Sequence, residues 1–190
     1  MKTKYTFSGQ QKLTATFVSG EFIWLAFYGV KNKCTLYKSS IYNPNLIYWN
    51  VTINADEIKS IIEDTTYLYL AINNSSSIGA KVQKSAPSSR TYFTKHVSLI
   101  EESIDLTTDG TYIYFLLPGN ESGLDAKIGK YNKTNRNYAE TIILTGIKNA
   151  KKIDIDYDGN FWIVSDLETI PKVTKLWYDG DWQQDTTILS

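Results

Sequence analysis

Short apolar stretches that follow polar turns recur along the chain at a nearly constant spacing. The clearest is DGTYIYFLL from Asp109, and similar stretches begin at Ser19, Asp64 and Asp158. Successive starts lie about 45, 45 and 49 residues apart, and a period of roughly 40–50 residues is typical of propeller blades. The pattern therefore predicts four structural repeats.

Each repeat divides into four strand-like pieces, which we call A to D in chain order. The A pieces are 14–18, 58–62, 103–108 and 152–157, and the B pieces are 22–27, 67–72, 112–117 and 161–164. The C pieces begin at Lys33, Ala80, Ala126 and Lys172, and the D pieces begin at Leu46, Tyr92, Asn137 and Trp182. We predict an all-β fold, a β-propeller of four antiparallel four-stranded blades. The blades cover about 14–53, 58–99, 103–144 and 151–189 of a single domain, 1–190, with an N-terminal strand within 1–13.

The B pieces are apolar almost throughout, which is typical of strands that are covered on both faces. In the third repeat, Tyr112 and Tyr114 lie on one face, and Ile113 and Phe115 lie on the other. We therefore expect every B strand to be buried between neighbouring blades. No segment shows a sustained 3.6-residue apolar period, so we expect no helix longer than about two turns.

The stretch Asp158-Gly-Asn-Phe-Trp-Ile-Val resembles the blades of NHL and regulator-type propeller repeats, which commonly carry a D-G-N-aromatic-apolar strand. The resemblance covers the whole chain as four blades. It implies the architecture, but it implies little about activity because propellers host many functions.

The two ends of the chain leave the closure of the ring open. Residues 4–8 precede the first A piece at the distance expected of a D strand, yet the fourth repeat has its own D piece, ending at Leu189. Either residues 4–8 form an extra edge of a closed four-blade ring, or further blades or another copy complete a larger ring. An open ring would expose a blade face and would favour self-association.

Composition and charge exclude several classes of partner. Lys+Arg and Asp+Glu both number 20 and no Lys/Arg-rich block occurs, so we expect no nucleic-acid partner. The N-terminus lacks the apolar core of a signal peptide, and no apolar run reaches the roughly 18 residues of a membrane helix. We expect a soluble protein, in a virion or in the cytoplasm. Frequent Lys, Asn, Ile and Tyr suggest an AT-rich genome, that of a bacteriophage or a low-GC bacterium, and a bacteriophage virion or tail component is the first interpretation.

The residues that could carry chemistry are few, and we predict no catalytic residue. His96 is the single histidine, Cys34 is the single cysteine, and no nucleophile-elbow pattern occurs. Asp154, Asp156 and Asp158 form the best metal candidate, because alternating carboxylates before a glycine resemble calcium loops. Calcium is thus the one candidate cofactor. The alternative is the polar side of an A strand that ends in an Asp-Gly turn.

Aromatic residues around the last C–D turn are the candidate binding residues. Trp177, Tyr178 and Trp182 flank Asp179-Gly180 and could stack on sugar rings or anchor a protein partner. The alternative is that they pack on neighbouring blades. The sequence favours a non-enzymatic binding or structural module that acts through a protein partner or self-association. A lectin-like propeller is the second interpretation, and a propeller enzyme is the third.

Overall fold

The computed structural model describes residues 12–30, 32–43, 45–167 and 170–188, without the side chain of Leu167. The predicted strand at residues 4–8 lies outside the described residues. Throughout the described ranges the regular structure consists of sixteen β-strands, with no helix.

The strands form four sheets, each of four antiparallel strands in chain order. Sheet one contains β1 (Lys12–Ser19), β2 (Phe22–Tyr28), β3 (Cys34–Ser40) and β4 (Ile47–Ile53). Sheet two contains β5 (Glu57–Glu63), β6 (Tyr67–Asn73), β7 (Ser77–Gln83) and β8 (Arg90–Thr94). Sheet three contains β9 (Asp105–Thr108), β10 (Tyr112–Leu117), β11 (Ala126–Asn132) and β12 (Tyr138–Leu144). Sheet four contains β13 (Ala150–Ile155), β14 (Phe161–Leu167), β15 (Ile170–Tyr178) and β16 (Trp182–Ile188). The predicted fold, a propeller of four-stranded blades, is confirmed.

Three apolar clusters join successive sheets. Sheets one and two share a cluster around Trp24 and Leu70, and sheets two and three share one around Phe115. Sheets three and four share a cluster around Leu116 and Ile163. The first strands of the four sheets contact one another in the same order: β1 contacts β5, β5 contacts β9, and β9 contacts β13. Among the described strands β13 makes no comparable contact with β1, so the four sheets form an open series.

The second strand of a sheet is buried on both faces in three of the four sheets. The centres of β2, β6 and β10 are buried without alternation, as the sequence predicts. The prediction is wrong for β14, in which Phe161 and Ile163 are buried but Trp162 and Val164 are exposed. Sheet three covers one face of β14, whereas Trp162 and Val164 lie on the other face, which no described sheet covers. The corresponding uncovered side of sheet one differs, because Leu25 and Phe27 of β2 are buried there.

Several predicted strand boundaries need correction, and two of them concern candidate residues. The first strand of sheet four ends at Ile155 rather than at residue 157, and Tyr157 lies fully exposed in the turn that follows. The cause is a turn one residue longer than in sheet three, where Thr108 pairs with Ile113, whereas Ile155 pairs with Phe161. In sheet two, β8 ends at Thr94, so the predicted D strand stops before His96.

Candidate interaction surface

A turn aspartate and an aromatic residue on the second strand are linked in the same way in sheets two and three. Asp64 accepts hydrogen bonds from the N–H groups of Thr66 and Tyr67 at 2.9 and 2.8 Å, and from the hydroxyl of Tyr69 at 2.9 Å. In sheet three, the hydroxyl of Tyr114 donates in the same way to the carboxylate of Asp109, at 2.6 Å. Each carboxylate thus supplies acceptors for its own hairpin turn and for a largely buried phenol.

In sheet four the same position is taken by Asp156 and Trp162. The carboxylate of Asp156 accepts hydrogen bonds from the Asn160 side chain at 3.0 and 3.1 Å and from the indole Nε1–H of Trp162 at 2.9 Å. Asp109 precedes Tyr114 by five residues and Asp156 precedes Trp162 by six, because the turn of sheet four is one residue longer. Asp156 rather than Asp158 therefore corresponds to Asp109. Trp162 is therefore the structural equivalent of Tyr114.

A lysine on the third strand faces this aromatic residue in all four sheets. The cross-strand pairs are Trp24 with Lys38, Tyr69 with Lys81, Tyr114 with Lys130, and Trp162 with Lys175. Each of these lysines places its ammonium nitrogen over at least one aromatic ring, within cation–π range. The repeated pair shows that the four aromatic positions are equivalent.

The four equivalent aromatic residues differ sharply in exposure. Trp24 is 2% exposed, Tyr69 is 1% exposed and Tyr114 is 4% exposed, because each packs against the sheet that follows. Trp162 is 40% exposed. Val164, two residues later on the same face, is 39% exposed. Sheet four thus presents a face of the kind that the other three sheets bury.

We define the sheet-four face by its five central residues. Val173 pairs with Val164, Lys175 pairs with Trp162, and Trp177 follows on the same side of β15. The face consists of Trp162, Val164, Val173, Lys175 and Trp177. The Lys175 ammonium lies 5.7 Å from the ring centre of Trp162 and 5.9 Å from that of Trp177, so one ammonium group is within cation–π range of two indoles.

Charged residues of both signs border the sheet-four face. On the inner strand, Lys152 pairs with Val164 and Asp154 pairs with Trp162. On the outer strand, Asp185 pairs with Lys175. An apolar centre within a mixed polar rim is the usual composition of a protein interface.

The hydrogen bonds of the turns shift the pKa values of their ionisable groups. Burial opposes the charged form of Asp64, but hydrogen bonds from Tyr67, Thr66 and Lys133 outweigh it, so the pKa of Asp64 lies well below its ordinary value. Hydrogen bonds from Asn160 and Trp162 lower the pKa of Asp156 to about 2. The four donors of Asp64, which are the N–H groups of Thr66 and Tyr67, the Tyr69 hydroxyl and the Lys133 ammonium, therefore stabilise the ionised carboxylate.

Burial and the carboxylate partner shift the pKa values of the phenols in the opposite direction. Burial, reinforced by the hydrogen bond to Asp109, raises the pKa of Tyr114 far above its ordinary value. Both phenols, Tyr69 and Tyr114, thus stay neutral donors over the physiological range.

The three predicted metal ligands do not converge. Asp154 accepts a hydrogen bond from Ile155 N–H at 2.9 Å, the oxygens of Asp156 accept from their own turn, and Asp158 lies exposed. In the ranges that the structure describes, no group of three His, Cys, Asp or Glu side chains is placed to hold a metal ion. Calcium binding here stays a prediction from the sequence to which the geometry adds no support.

The predicted aromatic cluster divides between the two faces of sheet four. Tyr178 pairs with Trp182, their ring centres lie 5.3 Å apart, and Trp182 packs on the cluster shared with sheet three. Trp177 lies on the opposite side, next to Lys175. Sequence reasoning thus identified one residue of the sheet-four face and missed Trp162. The signal for Trp162 was present in the lysine that recurs in each C piece.

The single histidine lies in a small network of polar contacts. The His96 ring stacks on Tyr138 with ring centres 3.8 Å apart, and its Nδ1 lies 2.8 Å from the Ser98 hydroxyl. That hydroxyl also lies 2.8 Å from the Thr141 hydroxyl. The network joins the loop after β8 to β12 of the next sheet.

Comparison with known proteins supports the fold and assigns no family. No protein-family model matches the sequence, and a comparison with curated proteins gave no match. Solved structures of propeller-type proteins are similar in fold. Hydrazine synthase from Kuenenia stuttgartiensis is 11% identical with a TM-score of 0.70, over 94% of this chain and 54% of that chain. The protein YCF48 bound to D1 peptide is 10% identical with a TM-score of 0.58, over 100% and 56%.

The computationally designed protein Ika4 is also similar, with 9% identity and a TM-score of 0.59. The alignment covers 94% of this chain and 99% of that chain. The chain thus spans about half the length of the two natural proteins named above but nearly the whole of the designed one. At these identities the likeness concerns the fold alone. Within the described ranges, no helix is long and apolar enough to cross a membrane.

Proposed function

We propose that this β-propeller is a non-enzymatic assembly module that binds protein through the sheet-four face. The observation that carries the proposal is the exposure of Trp162 and Val164 at positions that the other three sheets bury against a neighbour. Apolar surface of this kind, bordered by charges, marks protein interaction sites, and tryptophan is enriched among the residues that dominate their binding energy.

The nucleophile and base candidates in the described ranges support a non-enzymatic role. Cys34 is buried, and burial raises the pKa of its thiol to about 11, so little of the reactive thiolate form exists at neutral pH. The His96 ring is stacked on Tyr138 and is engaged with Ser98. A structural neighbour, YCF48, was solved with a peptide bound, so a propeller-type fold is compatible with polypeptide binding. A virion or tail component is the setting that the composition suggests.

The test is the protection of a thiol placed on the sheet-four face. Cys34 is buried, so Val164→Cys provides one accessible thiol. Its rate of maleimide labelling is measured over a dilution series of the purified protein, which serves as its own protein probe. We expect labelling to slow at high protein concentration, because a docked protein surface excludes the reagent.

The matched control is Val97→Cys, because Val97 is 86% exposed on a loop between sheets two and three. We expect its labelling rate to be independent of protein concentration. A labelling rate at residue 164 that is equally independent of concentration would contradict the proposed docking role.

A lectin-like function is the second candidate, and the Tyr178–Trp182 pair favours it. Tyr178 is exposed, and its ring packs edge-on against Trp182, which is the kind of rigid aromatic surface that stacks on sugars. A glycan array probed with the wild-type chain and with Tyr178→Ala tests this. Loss of the bound glycans in the variant supports the function, and an array without specific binding removes it.

A further inference from the structure

We infer that the sheet-four face docks the first sheet of a second copy of this chain, so that two copies complete one ring of eight sheets. The inference rests on the proposed docking function and names its partner. It follows from three features: the repeated interface between sheets, the exposed β1 residues of sheet one, and the number of sheets that a ring can hold.

The chain already makes the required interface three times. In each case the aromatic residue and the residue two positions later pack on the next sheet: Trp24 and Ala26 on sheet two, Tyr69 and Ala71 on sheet three, and Tyr114 and Leu116 on sheet four. Trp162 and Val164 are the fourth such pair. The surface that fits them is therefore the side of a sheet against which such a pair packs in the other three interfaces. We call this the receiving side of a sheet.

Sheet one presents that receiving side. Phe17 of β1 packs towards sheet two, so its neighbours Thr16 and Val18 point to the opposite side, and both are exposed. Val18 pairs with Ile23 as Ile155 pairs with Phe161, and Ile155 packs on the cluster that sheet four shares with sheet three. Val18 is thus the counterpart of a residue that lies within an established interface, yet it is 57% exposed.

More of the receiving side is available around Val18. Leu13, also on β1, is exposed on the same side as Val18. Leu25 and Phe27, at the centre of this side, are 5% and 4% exposed within the single chain, so the surface that is open to a partner lies along β1. We define the sheet-one face by the exposed β1 residues Leu13, Thr16 and Val18.

The number of sheets limits the assembly to two copies. A contact between the sheet-four face of one copy and the sheet-one face of another is head-to-tail, and such contacts produce a closed ring or an open filament. Propellers typically contain about four to eight blades. Two copies of the four described sheets give eight sheets, at the upper end of this range, whereas three copies would exceed it.

Three variants with the same chemical change test the inference. Val164→Asp places a carboxylate on the sheet-four face, Val18→Asp places one on the sheet-one face, and Val97→Asp is the control at an exposed site on neither face. Because all three side chains are partly or largely exposed, we expect the variants to fold, and circular dichroism with a thermal melt verifies this.

We expect sedimentation velocity to show a dimer for the wild type and for Val97→Asp. Val164→Asp and Val18→Asp should each weaken association by at least about tenfold, because both interfaces of a ring would then bury an unpaired carboxylate. A mixture of Val164→Asp and Val18→Asp should recover dimers, because a mixed pair contains one interface in which both faces are wild type.

The outcomes separate the two proposals. A dimer that Val164→Asp weakens and Val18→Asp leaves intact would overturn the head-to-tail ring, while docking through the sheet-four face would stand. Failure of the mixture to form dimers, after both single variants have lost them, would also overturn the ring. A wild-type monomer at every concentration would overturn the inference and, together with unprotected labelling at residue 164, the docking function.

Discussion

The turn aspartates determine how the first hairpin of sheets two, three and four is held. Sequence reasoning recognised Asp64 and Asp109 at these turns, and it placed Asp158 in the corresponding position of the fourth repeat. The structure gives that position to Asp156 because the fourth turn is one residue longer. Two aspartates next to one turn cannot be ranked from sequence, since only the backbone path decides which carboxylate faces the aromatic side chain.

The Asp64 carboxylate should contribute strongly to stability. Asp64→Ala removes the acceptor for two N–H groups and for the Tyr69 hydroxyl, and it leaves the Lys133 ammonium, at 3.0 Å, without its partner. We expect the free energy of unfolding to fall by about 2 to 3 kcal/mol, measured by urea denaturation. Asp158→Ala is the control, since this exposed residue should change stability by less than about 0.5 kcal/mol. Equal effects of the two substitutions would refute the assignment.

The same carboxylate should make stability depend on acid pH. The pKa of Asp64 is lower in the folded protein than in the unfolded chain, so its contribution is complete above the ordinary value of about 3.9. The contribution is lost as pH falls through the lower folded value. We expect the difference in unfolding free energy between the wild type and Asp64→Asn to shrink steadily below about pH 4. A difference in unfolding free energy that stayed constant as the pH fell below about 4 would rule out this contribution of Asp64.

At the scale of strands, the sequence predicted most elements because their apolar pattern reflects burial on both faces. It failed for β14, whose residues are as apolar as those of β6 and β10. Whether Trp162 and Val164 are covered depends on a neighbouring sheet, and a strand's own sequence does not contain its neighbour. The D piece that begins at Tyr92 was predicted too long for a related reason, since His96 belongs to a turn that packs on Tyr138.

The contact between sheets two and three should be sensitive to one glycine. A Cβ atom on Gly79 would clash with Cζ of Phe115. We expect Gly79→Ala to lower the free energy of unfolding by about 1 to 3 kcal/mol because overpacking forces the sheets apart.

A double-mutant cycle can show that the clash with Phe115 causes this loss. Phe115→Leu removes the outer ring atoms and creates a cavity when made alone. In the Gly79→Ala background the new methyl group occupies part of that space, so the two losses should sum to more than the loss in the double variant. Strict additivity in chemical denaturation would show that the loss has another origin.

At the scale of the whole molecule, the period of about 45 residues was sufficient to predict the architecture. The way in which the ring closes could not be predicted, because repeats of equal length are compatible with a closed four-blade ring and with a larger one. In the structure β13 contacts β9 but makes no comparable contact with β1 among the described strands. This arrangement favours the larger ring over a ring closed by these four sheets. Trp177, which the sequence predicts as a binding residue, belongs to the sheet-four face, where Lys175 lies near both Trp177 and Trp162.

The number of chains in the native assembly distinguishes a two-copy ring from a monomer and from an open filament. Native mass spectrometry of the purified wild-type protein counts them. We expect one dominant species of twice the 21.6 kDa chain mass, because the sheet-four face of each of two copies would dock on the sheet-one face of the other. A species of 21.6 kDa alone, or an unlimited series of higher multiples, would contradict the two-copy ring.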